Sequence, residues 1–517
     1  MFGKTFIGRK ATRRGTKREG AVVAERDKRD IRCIVLKPGD SVAVLPEGGK
    51  AGECLSGTGV VLREDVPAGH KAALRSVLRG EPVIKYGHPM GRAAMNIVPG
   101  EKVHVHNVES ALRAEWDMTW TPSGAAFREP SVPVPVFAGY AREQGAPGIR
   151  NELWIIPLVG CVNDYLKFLA DGYSPPSWIE RIRVLSHPYG CSQLGDDLDR
   201  TAAVLEGLAR NPCAAGVVVA GLGCENLRRV FMETRLSDLR KVRFFSLQEA
   251  EDDRRLLYGL LDGLAEAAPR ARTEFPLSDV TIGVKCGGSD GFSGLSANPL
   301  AGEVADMMCA WGGRVVATEI PEMFGAEDVL ASRIADGEVF RAFAGTIRWF
   351  RDYYDAHNQP VYENPSPGNK DGGITTLEEK SLGAVNKCGS SPVTDVLTMG
   401  AQAVRRGVSV VFGPGNDLIS STVMAAGGAQ VILFTTGRGT PYSTVVPTIK
   451  ISSNTALYNR KRGWIDFDAG PLLSGADRSE TARALVSLIA ETASGRLTRN
   501  EENRCGEIAI FKDGVTL

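Results

Sequence analysis

Six times beyond residue 150, a short apolar, β-branched run stops abruptly at a polar, mostly glycine-rich loop. The run at 154–158 leads into Val159-Gly160-Cys161-Val162-Asn163, and the one at 184–186 into His187-Pro188-Tyr189-Gly190-Cys191. The run at 217–220 meets Gly221-Leu222-Gly223-Cys224, and that at 282–284 meets Lys285-Cys286-Gly287-Gly288-Ser289-Asp290. Runs at 408–412 and 431–434 end in Gly413-Pro414-Gly415-Asn416-Asp417 and Thr435-Thr436-Gly437-Arg438-Gly439-Thr440. Runs of this kind suit parallel strands covered on both faces by helices. In such sheets the loops beyond the carboxyl ends of the strands line the ligand crevice. The pattern predicts an α/β fold with a polar site assembled from strand-end loops.

At 517 residues the chain exceeds what one core organises, so two or three domains are expected. Residues 31–107 carry short alternating stretches broken by glycine and proline, which predicts a small N-terminal all-β domain. Residues 108–136 hold Pro122, Pro130, Pro133 and Pro135 with no sustained period and read as a linker. A break near 269–276 divides a middle α/β domain, 137–272, from a C-terminal parallel-sheet domain, 273–517. Residues 1–30 are charged and poor in apolar side chains, which predicts a disordered basic tail.

Lys+Arg and Asp+Glu balance at 61 each, which gives no support to a nucleic-acid partner. No apolar run approaches the roughly 18 residues of a membrane span, and no signal-peptide pattern is present. A cytoplasmic location is therefore expected. Ten cysteines without a CxxC pair argue against a disulfide scaffold and against a zinc ribbon. GxGxxG, P-loop and GxSxG motifs are absent, which counts against dinucleotide, nucleotide and serine-hydrolase chemistry.

Cys161, Cys191, Cys224 and Cys286 stand directly after glycine or lysine at strand ends, where a metal or catalytic use is expected. Thiolates select iron–sulfur clusters or soft metals. The alternative is a single Fe²⁺ held by carboxylates and histidines, for which Glu319 and Glu322 are candidates. His70, His104 and His106 are candidate bases or acids. His104 and His106 flank Val105, so on a strand they would project from one face. Segment 364–373 is dense in donors. Asn364, Ser366, Asn369 and Lys370 there, with Arg438 and Thr440, suit an anionic, polyhydroxylated ligand. Arg150, Asn151, Ser289, Asp290, Asn416, Asp417, Thr435 and Thr436 complete the candidate ligand contacts.

Eleven of these segments resemble the altronate/galactarate dehydratase family. They are PAGHKAAL (67–74), VIKYGHPMG (83–91), HVHN (104–107), GIRNELWIIPLVGCVN (148–163), HPYGCSQLGDD (187–197) and GLGCEN (221–226). CGGSDGFSG (286–294), EIPEMFGAE (319–327), ENPSPGNKDGGITTLEEKSLG (363–383), TTGRGTPY (435–442) and WIDFDAG (464–470) continue the match. The resemblance runs from about residue 31 to the C-terminus, and several segments look like the altronate branch. It implies a β-clip (SAF-like) first domain, a middle dimerisation domain forming a homodimer, and a Rossmann-like C-terminal domain. It also implies a hydro-lyase converting D-altronate to 2-keto-3-deoxy-D-gluconate with iron as Fe²⁺ or an iron–sulfur cluster, manganese or another divalent cation being alternatives. Galactarate or sulfolactate as substrate, and a non-catalytic sugar-acid binding protein, are the competing readings.

Overall fold

The computed structural model describes residues 30–112, 118–361 and 364–517; the expected N-terminal tail lies outside them, apart from residue 30. The first 80 described residues fold as short strands in small sheets. Val42–Val44, Lys71–Ala73 and Lys102–Val103 form one antiparallel sheet, and Pro82–Lys85, His88–Ala93 and Val108–Glu109 another. Tyr86 and Gly87 join two of them with φ of 60° and 79°. Positive φ at both loop positions matches the twist of a two-residue hairpin. Alternate residues Val42, Ala73, Val83, Met90 and Val103 close a small core.

The strand expected to carry His104 and His106 stops at Val103. The Asn107 carboxamide accepts from the His104 N–H at 2.9 Å and donates to the Lys102 carbonyl at 2.9 Å, which bends 104–107 into a turn. Asparagine competes in this way for backbone groups that a longer strand would use. His104 and His106 therefore share no strand face, and His106 is exposed. Val108–Glu109, read as the start of a linker, pair instead with the strand His88–Ala93.

The middle region is a parallel sheet of β1 (Glu152–Pro157), β2 (Arg181–Val184), β3 (Ala214–Gly221) and β4 (Val242–Ser246), in the order β2-β1-β3-β4. The C-terminal region holds a seven-stranded parallel sheet. Its strands are β5 (Thr281–Cys286), β6 (Arg314–Ala317), β7 (Val393–Leu397), β8 (Gly407–Val411), β9 (Val431–Thr436), β10 (Thr448–Ser452) and β11 (Phe467–Asp468), ordered β7-β8-β6-β5-β9-β10-β11. Strands Val136–Gly139 and Thr273–Pro276 pair antiparallel where the chain enters and leaves the middle sheet.

Strand periodicity decides how the two α/β regions join. In β1, Trp154 and Ile156 point into a core that is continuous with the large sheet, while Leu153 and Ile155 point into a separate core under helix Asp253–Ala267. Each such fully buried aliphatic side chain contributes about 1.5–3 kcal/mol. Across the junction, Asn211 donates to the carbonyls of Ala425 and Ala429 at 2.9 Å each. No helix among the described residues is long and apolar enough to cross a membrane.

Candidate active site

From β5 the chain runs out to β6 and on to the edge strand β7, returns as β8 between them, then crosses to β9 on the other side of β5. That reversal opens a crevice at the carboxyl ends of β5 and β9. The two loops interlock there. Gly287 N–H donates to the Thr435 carbonyl at 3.0 Å, and the N–H groups of Gly437 and Arg438 reach the Gly288 carbonyl at 3.1 and 3.0 Å. A β-carbon on Gly437 would lie 2.1 Å from Asp290 Cγ, so only glycine admits the aspartate. Asp290 is buried and accepts from Ser293, Ser453 and Asn454; burial raises its carboxyl above the usual range. Beside these loops lies a cleft of about 630 Å³ lined by Glu322, Asn364, Asn369, Lys380, Asn416 and Asp417, among others.

Under the cleft sits a buried charge cluster. Lys285 Nζ is 2.5 Å from Glu319 Oε1 and 2.9 Å from Asp417 Oδ1. Lys387 Nζ is 2.9 Å from Glu319 Oε2 and 3.3 Å from Cys286 Sγ. Lys380 Nζ is 2.8 Å from Glu322 Oε1 and 2.8 Å from Asn364 Oδ1. Burial would raise the Glu319 carboxyl, but the Lys285 and Lys387 ammoniums hold it at about 2. Burial pushes the Cys286 thiol up to about 12. Such buried ions persist only when each has its partners.

Ligand atoms of Cys286, Glu319 and Glu322 lie within 4.8 Å of one another. One thiol and two carboxylates suit a divalent metal of intermediate softness, so the set fits an ion such as iron in donor type and spacing. Lys387 and Lys380 occupy the same atoms, so an incoming ion would take over bonds that ammonium groups now make.

The β module meets this region along a second buried seam. Gly69, with φ of 79°, puts its carbonyl where a β-carbon on Gly291 would lie 2.0 Å away, so the two backbones are in close contact. That contact carries His70 to the C-terminal domain, its ring centroid 5.1 Å from that of His104. His104 Nδ1 is 3.1 Å from Thr375 Oγ1. Lys71 Nζ donates to Thr375 Oγ1 and Glu379 at 2.9 Å each and to the Gly373 carbonyl at 2.7 Å; Lys85 Nζ reaches Glu379 at 2.6 Å. Burial, then the charge on Lys71, lowers His104 to about 4; burial lowers His70 as well. Both imidazoles are thus neutral near pH 7.

Several expected contacts have local duties instead. Arg150 is buried against Glu501 at 2.8 Å and three backbone carbonyls, far along the chain from the cleft loops. Asn151 bonds the carbonyls of Trp178 and Pro269. Both were expected to touch ligand; the structure uses them to fasten the middle domain, because a buried guanidinium or amide needs all its partners. Ser366 and Asn369 form a capping box, with Asn369 Nδ2 2.8 Å from the Ser289 carbonyl, and Asn416 caps helix Asp417–Ala426. Thr435 and Thr436 are fully buried, bonded to Asn298 and to Gly439 N–H. Arg438 donates to the Gly368 carbonyl at 2.6 Å, Thr440 accepts from Tyr442 N–H at 3.3 Å, and Lys370 ends the helix Pro367–Asp371.

Cys161, Cys191 and Cys224 do not join Cys286. They are exposed in loops of the middle domain. The lysines at 71, 85, 285, 380 and 387, and Glu379, were not singled out as site residues from the sequence. The available signal was Lys85 and Lys285 inside otherwise apolar strands, since lysine is rarely buried without a partner.

Three family models match this chain in order. The altronate/galactarate dehydratase SAF domain matches residues 31–111, the second domain of D-galactarate dehydratase/altronate hydrolase matches 139–271, and the C-terminal D-galactarate/altronate dehydratase domain matches 277–516. The chain is 46% identical to an altronate dehydratase of Bacillus subtilis (strain 168), over 94% of this chain and 99% of that one. It is 42% identical to an altronate dehydratase of Escherichia coli (strain K12), over 89% and 94%. A galactarate dehydratase (L-threo-forming) of Escherichia coli (strain K12) is 31% identical over 88% and 92%. An N-terminal SAF domain, two α/β regions with a large parallel sheet, and a buried Cys/Glu/Glu group beside a polar cleft go together: the chain belongs to the altronate/galactarate dehydratase family.

Proposed function

We propose that this chain is a hydro-lyase converting D-altronate to 2-keto-3-deoxy-D-gluconate and water. The observation that carries this is its 46% identity, over 94% of its length, to a protein named altronate dehydratase. The cleft supports it, since its carboxamides and lysine are the groups that bind a polyhydroxylated carboxylate. In the reaction a base takes the C2 proton, an acid protonates the C3 hydroxyl so that it leaves as water, and the resulting enol tautomerises to the 2-keto acid.

Lys380 is the cation we assign to the substrate carboxylate, with Asn364 for a hydroxyl. Lys285 and Lys387 make Glu319 a weak base, and the Glu322 and Asp417 carboxylates are already engaged by Lys380 and Lys285. The neutral imidazoles of His70 and His104 are better proton acceptors, and we assign the C2 proton to this pair. Cys286, Glu319 and Glu322 are the residues we assign to an iron ion, which when bound would supply Lewis acidity. We further read the SAF domain as a β-clip and the C-terminal domain as Rossmann-like, with domain limits near 31–107, 137–272 and 273–517. The working form is a cytoplasmic homodimer.

The test is to incubate anaerobic, ferrous-loaded protein with altronate, galactarate or sulfolactate and follow product formation. A 2-keto acid from altronate at least about tenfold faster than from galactarate is expected. No turnover of altronate, or a preference for either other acid, overturns the substrate. His104→Ala should abolish turnover while leaving the fold intact by circular dichroism; retained activity in both His104→Ala and His70→Ala overturns the base.

A further inference from the structure

Three exposed thiols have no part in the chemistry above. Cys161, Cys191 and Cys224 follow β1, β2 and β3, neighbouring strands of one parallel sheet, so their loops leave the same edge side by side. Hydrogen bonds tie the loops together. Gly160 N–H donates to the Tyr189 carbonyl at 2.8 Å, Leu227 N–H to the Gly190 carbonyl at 3.1 Å, and Ser192 N–H to Asn226 Oδ1 at 2.8 Å. Cys191 thus lies between the other two loops. Gly190, at φ of 100°, passes so close to the Leu158 carbonyl that a β-carbon would lie 1.8 Å from it. The approach of the loops is fixed by the backbone.

The same loops carry a second signal. Asn163 Oδ1, Ser186 Oγ and Gln193 Nε2 are buried polar atoms without a hydrogen-bond partner, and Gln193 is only 1% exposed. Native folds leave few such groups unsatisfied, and those that remain commonly mark an absent ion or group. The unpaired Gln193 amide N–H, two residues along the chain from Cys191, is a donor of the kind that bonds sulfide, and hydrogen bonds to sulfur tune iron–sulfur clusters.

Spacing selects the kind of metal. Among the described residues, the one group of three ligands lying mutually within 4.8 Å is Cys286, Glu319 and Glu322. The three loop thiols are therefore too spread to close on one tetrahedral ion, whose sulfur ligands sit about 2.3 Å from the metal. A multi-iron cluster spans a wider triangle.

We propose that Cys161, Cys191 and Cys224 hold a four-iron, four-sulfide cluster in the middle domain, separate from the Cys286 group. Each thiol gives up its proton on binding iron, and the fourth iron has no cysteine among these loops. Cys224 lines an adjoining cleft of about 580 Å³ together with Glu225, Arg228 and Arg229, the last paired with Glu249 at 2.7 Å.

The full-length protein, reconstituted anaerobically with equal amounts of ferric and ferrous iron and with sulfide, should gain a broad visible absorption and about four iron and four sulfide per chain. Cys161→Ser, Cys191→Ser and Cys224→Ser should each lose the band, and Cys286→Ser should keep it. Loss of the band in Cys286→Ser alone, iron without acid-labile sulfide, or retention in all three loop variants overturns the proposal. Mapped alkylation guards against misfolded variants. In wild-type protein the three thiols should be alkylated before reconstitution and protected at least about tenfold after it; equal labelling in both states overturns the proposal. These readouts use no substrate, so they stand or fall apart from altronate turnover.

Discussion

Two kinds of cysteine site, drawn from one sequence pattern, lie in opposite surroundings. Cys286 is buried in the C-terminal domain, with Lys387 3.3 Å from its sulfur and two carboxylates close by. Cys286 is the last residue of its strand, whereas Cys161, Cys191 and Cys224 lie in the loops beyond strands of the middle domain and are exposed. The first site is a closed set of charges whose members neutralise one another. The second is a rigid frame of backbone holding free thiols and orphaned polar atoms. A glycine-cysteine loop at a strand end therefore marks where a site can form, and the elements packed above it decide which chemistry it performs.

The contrast predicts unequal costs of substitution. Glu319→Ala leaves Lys285 and Lys387 without their shared partner in a fully buried setting. Breaking a buried pair costs about 3–5 kcal/mol, which a urea or guanidinium titration of metal-free protein will register. A loss below about 1 kcal/mol would mean that the cluster is hydrated or loosely held. Next comes Gly190→Ala, where positive φ and the nearby Leu158 carbonyl should together cost about 1–3 kcal/mol although the neighbouring Cys191 is exposed. A neutral outcome would show that the cysteine loops are pliable and remove their claim to be a preformed frame.

A gentler effect follows from the seam that carries the module onto the C-terminal domain. His104 is held at about 4 by burial and by Lys71, with His70 and Lys102 acting in the same sense and Glu379 opposing. Its folded value lies below the roughly 6.5 of an unfolded imidazole, so the unfolded chain binds more protons as the medium acidifies. Its contribution to stability should be full above about pH 6.5 and decline as pH falls toward 4. Denaturation midpoints compared with those of His104→Asn will show it as a shallower acid slope in the variant; identical slopes would refute it. The smallest change is expected for Cys191→Ser in metal-free protein, within about 0.5 kcal/mol, because an exposed thiol packs against little. A larger loss would mean that the thiol is covered in solution.

Much of the architecture was legible from local pattern. The β-branched runs of β1, β3, β5 and β9 are buried along their whole length, which is why they read as parallel strands. The loops after β5 and β9 do meet at the crevice, because topology alone places them together. Other assignments failed for definite reasons. Arg150 and Asn151 looked like ligand contacts because polar residues beside an apolar run suggest a rim, but they fasten the middle domain to the C-terminal segment and to its own loops. The shared face of His104 and His106 was lost to Asn107, whose side chain captured the backbone. The lysine–glutamate seam stayed hidden because Lys71 and Glu379 are separated by 308 positions, and charge in a sequence carries no partner's address.

By itself, then, the sequence determined the strand runs, the glycine-bearing strand ends, the β character of the N-terminal domain and the family. These follow from short-range periodicity and from local turn chemistry, which act over a few residues. Tertiary structure alone decided that Cys286 meets Glu319 and Glu322, that His70 meets His104, and that Cys161, Cys191 and Cys224 stay exposed and apart from Cys286. Those pairings arise from strand order and domain docking. The burial and low dielectric that give them their chemistry exist only once distant segments have packed.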